Sequence, residues 1–480
     1  MFSSFMWRFM ELLSAQGITL IVSIMLARML TPQIYGTLAL TMVFINLLNV
    51  FIDNGLGVAL IQKKNADETD FSSVFWFNLL MCIILYFIVY VFAPHIANLY
   101  HKSEIIRIIR LIGLVIIVSA IKNIQQVYVM RNLLFKKFFF ATLVGTIGAA
   151  IIGILMAYYG FGVYALVSQY IFNAVVDTII LWFTVQWRPK FVFSYTKFKT
   201  LFSYSWKILI SRLIDTIFIE SKSLIIGKFY SEENLAYYSK GMQFPQFAIS
   251  NITTSMNSIL FPTLAQKQND VIAMKYATKR VIRISSLFIW PSMIGLIAVS
   301  KNLITVILTE KWLPTVPFLQ ILCLGYALEP LQTTNLNVIK ALGRSGLFLK
   351  MEIIKKTIAI TIVILSSFLG VKMIAIGSTC YAFIASFINA FPNKKLISYS
   401  YGEQLKDISP FVFMSLIMGI VVYVVGETSV SVFSAGIYIS FIFQIACGIL
   451  TYAILCRCFA ISEWNYCVNI IKRTISKKRG

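Results

Sequence analysis

Charge is scarce in this 480-residue chain: Asp, Glu, Lys and Arg make up only 13% of it, and just 19 residues are acidic. So little polar surface cannot keep a soluble protein of this length dispersed. Histidine is nearly missing. His95 and His101 share one loop, so a membrane acyltransferase, which needs a histidine in its catalytic core, is disfavoured. The seven cysteines, Cys82, Cys323, Cys380, Cys447, Cys456, Cys458 and Cys467, form no C-x-x-C pair. They read as reduced packing residues, not as a disulfide frame or metal site. No Walker motif is present, so this chain is expected not to use ATP; Gly160–Phe161–Gly162 reads as a turn. There is no large outer loop with acidic pairs, where a glycan polymerase or ligase would gather metal and acceptor. Glu232–Glu233 reads as a polar turn. The longest polar stretches, 186–204 and 263–283, are too short for a soluble domain and read as cytoplasmic loops or interfacial helices. No enzyme, cofactor or metal is expected.

What fills the chain instead is apolar: 59% hydrophobic residues and a mean hydropathy of +0.81. The residues come in runs near the ~20 that a helix needs to cross a bilayer. Disorder, coiled coil and a secreted disulfide scaffold are excluded. So is an outer-membrane barrel, which alternates over ~10-residue segments. The expected fold class is an all-α polytopic helical membrane protein. Fourteen spans are expected, at 10–30, 37–60, 73–93, 105–124, 141–159, 162–184, 206–228, 241–262, 284–300, 316–339, 353–369, 373–391, 410–426 and 432–455. The first run contains Glu11 and ends in Arg28 without a small-residue cleavage site, so it is expected to stay as a helix.

Lys and Arg number 42, for a net charge of +23. In a soluble protein that excess would suggest nucleic acid. Here it reads as the cationic bias of cytoplasmic loops, and no nucleic-acid partner is expected. With both termini inside, cytoplasmic segments hold 27 cations, including Lys63, Arg131, Lys137, Arg188, Lys275, Arg344, Lys394 and Lys395. Outer segments hold five: Lys102, Lys240, Lys301, Lys311 and Lys372. A weak internal repeat accompanies this pattern. Arg28, in A-R-M-L-T-P-Q-I-Y-G-T, and Lys228, in G-K-F-Y-S-E-E-N-L-A-Y-Y-S, close the first and seventh spans. Two six-helix lobes, 1–204 and 205–409, followed by two additional helices and a basic tail in 410–480, fit that spacing.

The ordered segments R-M-L-T-P-Q-I-Y-G (28–36), D-N-G-L-G-V-A-L-I-Q-K-K (53–64), F-W-F-N (75–78), R-N-L-L-F-K-K (131–137), G-F-G-V-Y-A-L-V (160–167), W-R-P (187–189), K-W-L-P-T-V-P-F-L (311–319) and A-L-G-R (341–344) carry a resemblance. Together they resemble Wzx-type oligosaccharide flippases, the polysaccharide transporter branch of the superfamily that includes multidrug (MATE) and lipid II exporters. The resemblance implies a flippase working by alternating access. It would move undecaprenyl-diphosphate-linked oligosaccharide units across a bacterial inner membrane for O-antigen, capsule, exopolysaccharide or teichuronic-type polymers. Implied partners are the lipid-linked substrate and the lipid bilayer, with a polysaccharide polymerase and glycosyltransferases nearby. The chain departs from similar proteins at Lys222, where they often carry an acid. A drug or cation exporter of the same superfamily, and a membrane glycan polymerase or ligase, are the alternatives.

A diphosphate needs cations in a wet cavity, and charges kept within spans tend to face cavities or partners. Arg28, Lys222, Arg212, Arg107 and Arg110 are the substrate-binding candidates. Asp53, Asp177, Asp215 and Glu329 are candidates for coupling or ion pairing. Each has a plainer reading. Arg28 can snorkel, Arg212 and Asp215 share a face three residues apart, Lys222 can pair with Asp215, and Arg107 and Arg110 can bind headgroups. Glu329 precedes Pro330, a place for a helix break. Gly145, Gly148 and Gly153 read as close helix contacts, and Trp182 and Trp312 as interfacial residues. Lys355 and Lys356 read as interfacial too.

Overall fold

The computed structural model describes residues 2–52, 55–63, 65–132, 134–266, 270–431, 436–459 and 461–465. Among them there is no strand. The helices are α1 (Phe2–Met29), α2 (Pro32–Ile52), α3 (Leu56–Gln62), α4 (Glu68–Leu99), α5 (Glu104–Arg131), α6 (Phe135–Tyr158), α7 (Val163–Thr184), α8 (Tyr195–Phe229) and α9 (Glu232–Gln266). They continue as α10 (Val271–Ile307), α11 (Val316–Tyr326), α12 (Glu329–Ala341), α13 (Ser345–Ser367), α14 (Val371–Ala390), α15 (Asn393–Leu396), α16 (Tyr401–Ser431) and α17 (Ile437–Cys458). The protein is an all-α polytopic membrane protein. Eight described segments are long and apolar enough to cross a bilayer without help: α2, α4, α6, α7, α10, α14 running on through α15, α16 and α17. Their outward side chains suit lipid, as with Phe87, Ile420 and Phe443, all more than half exposed.

Helices generally outrun the apolar segments that mark them. The run 73–93 sits inside α4 and the run 284–300 inside α10, because hydropathy records the hydrocarbon zone while hydrogen bonding continues into the polar ends. Two expected spans are divided. The segment 37–60 is α2 followed by the short α3, and Gly55 between them takes φ +80°. That left-handed conformation costs other residues about 1–2 kcal/mol. The segment 316–339 is α11 and α12, separated at Ala327–Leu328, with Pro330 in the first turn of α12, where its missing N–H costs nothing. Glu329 is therefore the first residue of a new helix.

Contacts divide the chain into two units, 1–236 and 237–480. In the first, α6 packs on α7 and α1, α5 packs on α4, α7 and α2, and α8 packs on α2. One core cluster joins Leu26, Leu38, Ile45, Ile108 and Ile112. A second joins Leu60, Phe71, Phe75, Ile124, Trp187 and Leu201, using the later part of α5. Small residues set the closest approaches. A Cβ on Gly148 would lie 2.5 Å from the Phe172 ring, and one on Gly145 3.4 Å from the Asn173 carbonyl oxygen. The tightest place is Gly36 of α2, where a Cβ would lie 1.9 Å from the Glu232 carbonyl oxygen.

In the second unit α10 runs against α16, α11, α17 and α12, and α14 against α13, α11 and α12. A fully buried amide cluster ties α12 to α15 and α16. Asn335 Nδ2 donates to Gln404 Oε1 (2.8 Å), Gln404 Nε2 donates back to Asn335 Oδ1 (3.1 Å), and Asn393 Nδ2 also donates to Asn335 Oδ1 (2.6 Å). Buried amide hydrogen bonds of this kind contribute about 1 kcal/mol each. Trp312, expected at an interface, is instead fully buried, edge-on to Tyr237 at 6.0 Å. Lys355, expected to be interfacial, is buried and paired with Glu352 at 2.5 Å, since one helical turn brings the two together.

Candidate functional site

The candidate substrate-binding cations all fall in the first unit, on α1, α5 and α8. Arg28 lies in the last turn of α1 and is exposed; a cation there also complements the helix dipole. Arg107 is exposed near the start of α5. Arg110, one turn on, is held by α4: its guanidinium lies 4.0 Å from the Tyr90 ring centre, and its Nε donates to the Tyr90 carbonyl at 3.3 Å. That contact, worth about 1 kcal/mol at a partly exposed site, ties Arg110 to protein.

Helix α8 concentrates charge, which is why it lacks an uninterrupted apolar window despite its 35 residues. Arg212 and Asp215 are exposed on it. Lys222 is half-buried and has no ion-pair partner among the described residues, so the expected alternative of pairing with Asp215 does not occur. Glu220, two residues away, is taken up by α2, where Asn46 Nδ2 donates to its Oε1 at 2.8 Å. Lys228 donates to the Leu99 carbonyl.

Of the carboxylates, Asp177 on α7 is buried and paired with Lys122 on α5 at 2.8 Å. Its other oxygen, Oδ1, is buried without a hydrogen-bond partner among the described residues. Lys122 was not among the sequence candidates; its place inside the end of the 105–124 run was the signal available. Glu329 is half-buried in the second unit. Asp53 lies outside the described residues. Glu232 departs from the polar turn expected of it. It opens α9, is 8% exposed, and pairs with Lys102 from the α4–α5 turn. Gly36 makes this possible by letting α2 approach the Glu232 backbone.

A second concentration of charge in the first unit is consumed internally. Asp67 caps α4, its Oδ1 accepting from the Asp70 N–H (2.9 Å) while Asp70 Oδ2 accepts from the Asp67 N–H (3.1 Å). Both oxygens of buried Asp70 accept from Lys63 Nζ at 2.7 Å. Lys197 binds Asp67, and its hydrogen bond, helped by that from the Asp70 N–H, pulls the Asp67 carboxyl down to about 2. Arg131 binds the Leu60 carbonyl and Arg188 the Trp182 carbonyl. These cations staple helix ends and are not available to a substrate. Among the described residues no cluster of His, Cys, Asp and Glu is suited to a metal ion.

A family model described as "Polysaccharide biosynthesis protein" matches residues 25–317, more than half the chain. The chain belongs to this family. It is 27% identical over 303 residues to the teichuronic acid biosynthesis protein TuaB of Bacillus subtilis, a match covering 62% of each chain. It is 23% identical to the succinoglycan biosynthesis transport protein ExoT of Rhizobium meliloti, over 73% of this chain and 71% of that one. With the lipopolysaccharide biosynthesis protein WzxC of Escherichia coli it shares 19% over 85% of this chain and 84% of the relative. The solved lipid II flippase MurJ, in an inward closed conformation, superposes with a TM-score of 0.76 at 18% identity, covering 95% of this chain and 98% of that chain. An inward-facing multidrug MATE transporter gives 0.59 at 16% identity, over 79% and 94%. At these identities the structural likeness establishes the fold, and this family member has the fold of MurJ.

Proposed function

We propose that this protein is a flippase that turns undecaprenyl-diphosphate-linked oligosaccharide units from the cytoplasmic to the outer face of a bacterial inner membrane, by alternating access and without making a glycosidic bond. Membership of the polysaccharide biosynthesis family, in a chain with the MurJ fold along nearly its whole length, carries the reading. The names of the relatives, one of them a transport protein, point the same way. In this reading the membrane topology is fourteen crossings: six-helix lobes at 1–204 and 205–409, then two further helices and a basic tail in 410–480, with both termini cytoplasmic. A polymerase and glycosyltransferases act before and after it on the same lipid.

The diphosphate falls to Arg28 and Lys222, with Arg212, Arg107 and Arg110 along its path. Lys222 supports this best, as a half-buried ammonium with no carboxylate partner among the described residues. An unneutralised charge at that depth is expensive unless it faces water or an anion. Arg28 adds bidentate geometry for phosphate, which Lys lacks. Asp53, Asp177, Asp215 and Glu329 remain the coupling or pairing carboxylates of this scheme. The test is the sidedness of a labelled lipid-linked oligosaccharide in vesicles of purified protein. Wild type should move it, and Arg28→Ala should slow it roughly ten- to hundredfold, as for a lost charge-assisted bond. Arg28→Lys should recover only part. Glycan lengthening without a change of sidedness would replace the flippase by a polymerase. Full transport by both Arg28→Gln and Lys222→Gln would discard the diphosphate assignment.

A further inference from the structure

The second unit contains a cleft of about 570 Å³, inside the ~300–1,000 Å³ range of small-molecule sites. It lies where the C-terminal ends of α10 and α16 meet the start of α11 and the first two turns of α17. Beside Ser300, its polar lining is Lys301, Asn302, Gln320, Tyr423, Glu427 and Gln444. We propose that this cleft binds a neutral, polyhydroxylated ligand, a sugar of the glycan that the protein handles. The choice of the glycan as source rests on the flippase reading; the hydroxyl-binding chemistry does not.

The polar groups reach deep. Gln444 is seven residues into α17, about 10 Å from its start by helical rise, in a helix whose other residues are mostly apolar. It is 3% exposed, and its amide is fixed at both ends. Asn302 Nδ2 donates to Gln444 Oε1 at 2.8 Å, and Gln444 Nε2 donates to the Val422 carbonyl at 3.1 Å. Gly426 makes the room, since a Cβ there would lie 1.9 Å from Gln444 Nε2. Across the cleft Gln320 Nε2 donates to Ser300 Oγ at 2.8 Å. The amide oxygens of Asn302 and Gln320 accept no hydrogen bond among the described residues, although both residues line the cavity. The lining thus offers acceptors held in place by their own amide donors, a preorganised arrangement.

The chemistry selects among ligands. A phosphate would need clustered cations, but the lining has one, Lys301, together with a carboxylate, Glu427. An acyl chain would suit the apolar walls at Ile297, Val316 and Ile437 but would leave the carboxamides of Asn302 and Gln320 without partners. Hydroxyl groups both donate and accept, as carboxamides do. The exposed Tyr423 ring supplies an apolar face for the C–H side of a pyranose. A phospholipid glycerol headgroup shares part of this chemistry, so the test separates the two sources.

Full-length protein in phosphatidylethanolamine nanodiscs would be titrated with maltotetraose and chitotetraose and read by saturation-transfer NMR. Transfer to the ring protons of at least one sugar is expected. Asn302→Ala should weaken it about tenfold, the loss of one to two hydrogen bonds. Tyr423→Leu, at an exposed position, should weaken it several-fold, and Ala298→Trp should fill the cleft and abolish it. Melting curves confirm that each variant is folded. No transfer from wild type, or binding unchanged in all three variants, would overturn the site. Loss of the sugar signal when phosphatidylglycerol replaces half the lipid would assign the cleft to a lipid headgroup and overturn the glycan. Transport sidedness is measured alongside. Wild type that flips but binds no sugar overturns the cleft alone. Wild type that binds but does not flip supports the cleft and overturns the flippase.

Discussion

Half-buried Lys122 and buried Asp177 form an ion pair inside an apolar bundle, with one carboxylate oxygen left without a donor among the described residues. Each ion is tolerated there because of the other. Lys122→Met strands a buried carboxylate and should lower stability by about 3–5 kcal/mol. Asp177→Asn should cost less, because the longer Lys122 stem, the more exposed partner, can carry its charge towards water. The double variant should regain much of the loss, read as melting in detergent. A double variant no more stable than Lys122→Met would mean that the pair contributes nothing and that Asp177 answers to another group. Asp177 was legible in the sequence as a charge in an apolar run. Its partner was not, because a contact 55 residues away exists only once α5 lies on α7. Lys222 and Glu220 divide the same way: both were visible, but only packing shows that Asn46 claims the acid and leaves the lysine.

Helices follow from hydropathy where apolar residues are continuous, as in α4, α16 and α17. α8 and α9 were legible mainly from the alternation of charge, because Arg212, Asp215, Glu220 and Lys222 interrupt the apolar run of α8. Breaks are harder to read. Pro330 signalled the one before α12, whereas the end of α2 depends on Gly55 adopting positive φ, which a glycine permits without requiring. Close approach is similarly silent until the partner is known. Gly36 looks like a turn glycine after T-P-Q-I-Y, yet it lies within α2 and meets the Glu232 backbone. Backbone cannot swing away as a side chain can. Gly36→Ala should therefore part α2 from the start of α9 and destabilise by about 1–3 kcal/mol, as overpacking does. It should also loosen the Lys102–Glu232 pair, read as faster labelling of a cysteine at Glu233. A Gly36→Ala protein with wild-type melting and labelling would show that the approach is looser than these distances require.

Orientation is a property of the whole molecule, and the proposed one rests on charge: with the termini inside, 27 cations fall on the cytoplasmic side and five outside, a bias that insertion respects over short loops. The structure refines the meaning of those cations. Many stay with the protein, as Lys63 does on Asp70, Lys197 on Asp67 and Arg283 on Glu463. A residue can thus orient a loop during insertion and staple a helix end afterwards. Fourteen crossings place the α4–α5 turn, with Lys102, outside, and the short α15, with Lys394, inside. In a protein stripped of its native cysteines, a cysteine at Lys102 should react with an impermeant maleimide added to intact cells. One at Lys394 should react only after the membrane is opened. The eight self-sufficient spans do not settle the parity, because the charged or divided helices α1, α5, α8, α9, α11–α12 and α13 must also be counted. A single one of α5, α8, α9, α11–α12 or α13, which lie between Lys102 and Lys394, would put both sites on the same face if it lay in the interface. Labelling of both cysteines from outside would therefore refute the fourteen-span topology and point to one of those helices as the element that does not cross.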